Sequence, residues 1–271
     1  ANMGLCYQFG NGIKQDSIMA VKLYKTSIKM GNTKLVKERE ELVAKKFNMF
    51  DSNLLADIYS KGIGVTKDTQ KALKYYLLSA KNGNVDACIA GAKIYENNLS
   101  YPEAYKLFNS VASKNNFASY KVGEYLVKGF GTKVDKAKAV NYLSKAAKNN
   151  IPNAMILLGD LYYQGDGVEK DERQGTEWIE KSARQGIAEA QLLLGFFYQI
   201  GLGVEQNYET AILWLQKAAE QNEDDAFELL GDMYGSGMGV KEDREKAVDY
   251  YKAAAELGSV AAQNKLGDAF L

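Results

Sequence analysis

The 271-residue chain contains no histidine. That absence excludes a Ser-His-Asp triad, a histidine proton shuttle and every zinc site built on imidazole. Proline is nearly absent too, at 2 residues, so long stretches can be helical without a break. The two cysteines, Cys6 and Cys88, form no Cys-x-x-Cys pair, which removes redox and zinc-knuckle motifs. Both read as small buried apolar residues. No apolar run approaches the ~18 residues of a membrane span. Net charge is missing as well. The 34 basic residues balance 34 acidic ones, so overall charge favours neither nucleic acid nor a membrane surface.

Glycine, by contrast, is abundant, at 25 residues. Scattered at random it would break the helices that scarce proline permits, so its positions carry information. Gly-x-Gly occurs at Gly10/Gly12, Gly62/Gly64, Gly129/Gly131, Gly165/Gly167, Gly201/Gly203 and Gly237/Gly239, the last four 36 residues apart. Six residues upstream stand Gly4, Ala56, Gly123, Gly159, Gly195 and Gly231. Ten downstream stand Ala20, Ala72, Ala139, Gly175, Ala211 and Ala247. Three further on come Leu23, Tyr75, Tyr142, Trp178, Trp214 and Tyr250, and Gly31, Gly83, Gly186 and Gly258 close their units.

These columns describe helical hairpins. Ala190, Leu194 and Tyr198 are four residues apart and share one helix face. The upstream glycine lies on that face, where a missing side chain lets another helix approach. Gly-x-Gly ends the first helix, because glycine takes the left-handed conformation just past a helix C-terminus. Asp16, Asp68, Asp135, Asp171, Asn207 and Asp243 follow four residues later and suit the N-cap of a second helix. Each hairpin is too small to cover its own apolar face, so stacking of units must bury it.

Unit 190–221 reads A-x-x-L-L-G-x-x-Y-x-x-G-x-G-V-x-x-N-x-x-x-A-x-x-W-x-x-K-A-A. It resembles Sel1-like repeats, relatives of the tetratricopeptide repeat, and the resemblance spans nearly the whole chain. It implies an all-α, right-handed α/α superhelical solenoid of about seven helix-turn-helix repeats of ~36 residues. The units are 1–31, 49–83, 84–116, 117–150, 151–186, 187–222 and 223–258, with a partial one at 259–271, all within a single domain. Unit 84–116 keeps Ala87, Tyr95, Ala104 and Ala112 but lacks the Gly-x-Gly loop. Residues 32–48 are an insertion, either a charged helix supported by Lys37/Glu41 and Glu41/Lys45 or a solvated connector. The chain starts and stops within first helices, which suggests a piece of something longer.

Catalytic signatures are missing. The repeated Gly-x-Gly-Val follows a helix rather than a strand and lacks the third glycine of a dinucleotide fingerprint. Some relatives of the resembled family are penicillin-binding or β-lactamase-like, but the sequence has no Ser-x-x-Lys. The acidic clusters Asp166/Glu169/Asp171/Glu172 and Glu223/Asp224/Asp225/Glu228 do not fit a calcium loop. The expectation is therefore no catalytic residue, no metal and no cofactor.

Charge is unevenly distributed. Residues 1–135 hold 20 basic and 12 acidic residues, and residues 136–271 hold 14 and 22. Such asymmetry can steer a charged partner. Tetratricopeptide-like solenoids bind protein segments in a trough lined by first helices, and the resemblance implies the same here. Helical positions not needed for stacking give a candidate partner-binding groove of Phe117, Tyr120, Glu124, Asp160, Tyr163, Gln164, Phe196, Gln199, Ile200 and Asp232. Phe196 stands out, because other units place Glu124, Asp160 or Asp232 at its position. The expected function is a non-enzymatic scaffold binding a protein or peptide on its concave face, with no nucleic acid and no membrane insertion. An immunity-type inhibitor of a toxic enzyme is one alternative, and a cell-wall or β-lactam hydrolase is another. Similar repeat proteins favour a bacterial periplasmic or secreted location over the cytoplasm.

Overall fold

The computed structural model describes residues 2–9 and 16–269, apart from the side chains of Asn2, Cys6, Phe9, Asp268 and Ala269. The Gly10-x-Gly12 loop and the burial of Cys6 lie outside the described residues. Among these, the structure is sixteen helices without a strand. None is long and apolar enough to cross a membrane. Two compact units form, Ala1–Ala118 with Phe130–Thr132, and Ser119–Gly129 with Lys133–Leu271.

The first unit contains α1 (Asn2–Phe9), α2 (Ser17–Lys29), α3 (Lys34–Lys45), α4 (Met49–Lys61), α5 (Thr69–Lys81), α6 (Val85–Asn97) and α7 (Tyr101–Val111). Helix α8 (Asn116–Lys128) begins in it and runs on into the second unit. There follow α9 (Lys136–Lys148), α10 (Pro152–Gln164), α11 (Glu172–Ala183), α12 (Ala188–Ile200), α13 (Tyr208–Ala219), α14 (Asp224–Ser236), α15 (Arg244–Leu257) and α16 (Val260–Ala269).

The helix boundaries follow from local chemistry. Asp16, Asp68, Asp135, Asp171, Asn207 and Asp243 each accept a hydrogen bond from a backbone N–H of the first turn they precede. Each satisfies a donor that has no partner inside the helix. Gly62, Gly165, Gly201 and Gly237 end their helices in the left-handed conformation. At the ends of units, Asn150 and Asn222 take positive φ in the column that glycine fills at Gly186 and Gly258. Asparagine tolerates that region best among residues with a side chain.

The upstream glycine column faces the second helix of its own hairpin. A Cβ at Gly195 would come within 2.7 Å of Leu215, and one at Gly123 within 2.6 Å of Leu143. Gly175 is the reciprocal case. It replaces the usual alanine, and a Cβ there would meet the backbone oxygen of Gly159 at 2.8 Å, so this hairpin closes backbone to backbone. Around these contacts Leu143, Leu158, Leu194, Leu215 and Leu230 are fully buried in the second unit, each worth about 1.5–3 kcal/mol of transfer free energy.

In the first unit, helix α3 within the insertion buries Leu35, Val36 and Val43. It also buries Arg39, whose guanidinium binds Asp51 at 3.0 Å and Gln8 at 3.2 Å and lies 4.4 Å from the centre of the Tyr24 ring. Burial pushes the Asp51 carboxyl above its usual range despite the guanidinium beside it. Charges so placed cost several kcal/mol when one partner is removed.

Two glycines separate steric from conformational need. Gly203 has φ +65°, and a Cβ there would overlap the backbone oxygen of Glu172; Gly186 has φ +87° with nothing within 4 Å of that Cβ. Gly203→Ala should cost about 3 kcal/mol or more, from overpacking added to backbone strain. Gly186→Ala should cost about 1 kcal/mol, from strain alone. Urea unfolding followed by circular dichroism reads the difference, and equal losses would contradict the seat assigned to the loop glycine.

Candidate functional site

The candidate groove residues lie on first helices, and the structure brings only some of them together. Phe117 belongs to the first unit. Its ring meets Phe108 edge-on at 6.2 Å and lies under the Lys93 ammonium at 4.8 Å. It is half-buried and takes part in local packing.

The other nine belong to the second unit. Tyr120 and Glu124 are half-buried on α8. Glu124 binds Lys121 at 2.6 Å and Lys128 at 2.8 Å. Burial pushes its carboxyl up, but hydrogen bonds and charge from both lysines outweigh that and hold it below its ordinary value. Burial raises the Tyr120 phenol, helped by the nearby Glu124 charge. Asp232 on α14 is similarly occupied, accepting from the Tyr251 hydroxyl at 2.7 Å and from the Lys265 ammonium at 2.7 Å. Burial and then this carboxylate push the Tyr251 hydroxyl far up.

Helices α10 and α12 carry the open surface. Asp160 and Gln164 are exposed and joined by a 2.6 Å hydrogen bond. Tyr163 is 37% exposed, Phe196 38% and Ile200 49%. Phe197 joins them, its ring 6.2 Å from Tyr163 and 6.5 Å from Phe196. Tyr163, Phe196 and Ile200 thus make an exposed apolar patch across two helices, with the buried Phe197 ring beneath it. Gln199 is half-buried beside it, and its side-chain oxygen accepts no hydrogen bond. Reading only the positions free of stacking passes over Phe197. Its column holds the buried Tyr125, Leu161 and Met233, so nothing in the column marks it out.

The rest of the chemistry is sparse. Cys88 is buried, and burial pushes its thiol up. Among the described residues no group of three or more Cys, Asp or Glu side chains could hold a metal ion.

The Sel1 repeat family model matches residues 1–32, 52–84, 117–151, 152–187, 188–223 and 228–259. The chain belongs to the Sel1 repeat family. The unmatched stretches contain helix α3 and the hairpin without a glycine loop. Among solved structures, the chain is similar to a Sel1 repeat protein from Oxalobacter formigenes, at 25% identity and TM-score 0.72 over 98% of this chain and 74% of that one. It is also similar in fold to c5321, a protective antigen of uropathogenic Escherichia coli with an SLR fold, at 24% identity and TM-score 0.65 over 99% of this chain. The chain spans 63% of that antigen's length. The architecture is thus an all-α Sel1 solenoid of the tetratricopeptide-like type. Sel1 repeats generally mediate protein–protein interaction and are typically a non-enzymatic scaffold.

The two lysines around Glu124 define a pH test. A carboxylate held below its unfolded value adds stability at neutral pH and loses it as acid protonates the native group. Glu124→Gln should therefore lower the melting temperature at pH 7. The gap should close as the pH falls below about 4, the ordinary glutamate range. Thermal scans of both proteins across that range measure it, and a gap that ignores pH would discount the ion pairs.

Proposed function

We propose that the second unit docks a protein segment of mixed basic and apolar character on the face made by α10 and α12. The carrying observation is the pair of partly exposed rings Tyr163 and Phe196 on successive first helices, joined through the buried ring of Phe197, with the exposed Ile200 one turn beyond Phe196. Aromatic side chains of this kind dominate interface energetics, because they bury much area at little cost in rotamer entropy.

Charge supports the basic component. The second unit holds 17 basic and 24 acidic residues. Its excess of carboxylates attracts cationic segments and raises their encounter rate. Asp160, three residues before Tyr163 on α10, is exposed and accepts a hydrogen bond from the neighbouring Gln164. Asp232 and Glu124 are paired with lysines and contribute little. Helices fixed by stacking present these groups in place, so little ordering entropy is lost on binding.

Affinity purification with the full chain as bait tests the reading. Phe196→Asp with Tyr163→Ala should reduce recovery of the bound protein by at least ~30-fold, the scale of about 2 kcal/mol at an interface centre. Unchanged recovery with an unchanged circular dichroism spectrum would remove this face from consideration.

A further inference from the structure

The hairpin of α6 and α7 lacks the glycine loop, and the consequence falls on the second helix of the preceding hairpin. In four hairpins the second loop glycine sits on the first turn of such a helix. Gly131 lies on Tyr101–Pro102, Gly167 on Lys136–Ala137, Gly203 on Glu172 and Gly239 on Tyr208–Glu209. Tyr101, Lys136, Glu172 and Tyr208 are half-buried at those seats. Between α6 and α7 there are only three residues, Asn98 to Ser100, and Thr69 at the same position of α5 is exposed. An open groove of about 520 Å³ runs along α5 from there, lined by Gln70, Leu73, Lys74, Leu77, Leu78 and Lys81.

The floor of that groove is particular to α5. Where it has Leu77-Leu78, later second helices have Ser144-Lys145, Glu180-Lys181, Gln216-Lys217 and Lys252-Ala253. On α11 the same stripe neutralises itself, through Arg173–Glu177 and Arg184–Glu180 ion pairs. Lys74 and Lys81 have no carboxylate partner among the described residues. Helix α2 shares the pattern only in part, since it has Lys25-Thr26 where α5 has Leu77-Leu78. A groove of about 540 Å³ there has Ile18 and Val21 beside Lys22 and Lys29, which are without an ion pair among the described residues, while Lys25 in the same groove pairs with Asp57. The first unit as a whole carries 17 basic residues against 10 acidic ones.

We propose that the α5 groove of the first unit docks an acidic amphipathic helix of a partner protein. Apolar side chains of that helix rest on the half-buried Leu77 and Leu78, backed by the buried Leu73, and carboxylates reach Lys74 and Lys81. The two lysines are seven residues apart, about 10 Å along the helix, so the matching carboxylates lie two helical turns apart. The site is independent of the aromatic patch on α10 and α12, differing in unit, helix class and the charge it selects.

The test uses the full chain and a fluorescein-labelled model peptide of about 18 residues, five helical turns. Its leucines follow helical spacing with glutamates on both flanks, and a control peptide has lysine for every glutamate. Fluorescence anisotropy should show saturable binding of the glutamate peptide, weakening with salt, and at least ~tenfold weaker binding of the lysine peptide. Lys74→Glu with Lys81→Glu should reverse that preference, and Lys74→Gln with Lys81→Gln should remove it. Leu78→Ser should weaken binding at least ~tenfold, whereas Phe196→Asp should leave it unchanged. Absence of saturable binding, equal binding of the two peptides, or indifference to the lysine variants would overturn the proposal. So would sedimentation showing a dimer of the wild-type chain that the lysine variants dissolve, because the occupant would then be a second copy.

Discussion

One steric constraint organises this protein: a glycine loop must rest on the first turn of a neighbouring helix with no side chain between. At Gly203 a Cβ would collide with the backbone of Glu172, and the seats of Gly131 and Gly167 are equally close to backbone. Protein interiors are packed so densely that one methyl group cannot be absorbed at such a point. The seat fixes how one hairpin meets the next. The hydroxyl of Thr176 reinforces it on α11 by donating to the oxygen of Leu202. Caps, hairpin closure and the leucine core each matter, but they act within this spacing.

Deviations from the rule become informative for the same reason. In the third hairpin Gly91 stands where other first helices have a buried leucine such as Leu158 or Leu194, and Leu107 fills toward it at 3.3 Å. In that hairpin's short connection Leu99 adopts φ +58°, a strained conformation for a residue with a γ-branched side chain. The first hairpin differs in another way. Gly64 rests on Ile28 rather than on a first turn, and the insertion that follows α2 buries an Arg39–Asp51 pair. A buried ion pair is poor evidence for stability, but it fixes geometry, since neither charge tolerates the loss of the other.

Electrostatics divides the surface in a way the overall composition conceals. A chain of zero net charge is made of a basic and an acidic unit. Many carboxylates in the acidic unit are already committed, as Glu124 is to Lys121 and Lys128. The basic unit has Lys74 and Lys81, without a carboxylate partner among the described residues, along the edge of an apolar stripe.

The sequence by itself determined the helical hairpins, their loops and their N-caps. All three rest on local rules: a helix ends at a left-handed glycine and begins at a side chain that accepts its free N–H groups. It also determined the glycine column, because the period of 36 repeats the demand for close approach. Which candidate surface residues meet was a different question. Phe117, Glu124 and Asp232 satisfy the same spacing rule as Phe196, yet they are spent on packing or on lysines, and Lys265 lies 33 residues from the aspartate it binds. The bridging role of Phe197 and the uncovered groove on α5 were decided by tertiary structure alone. Each depends on what a neighbouring hairpin does or fails to place there, and that is a property of contacts between units rather than of any one unit's residues.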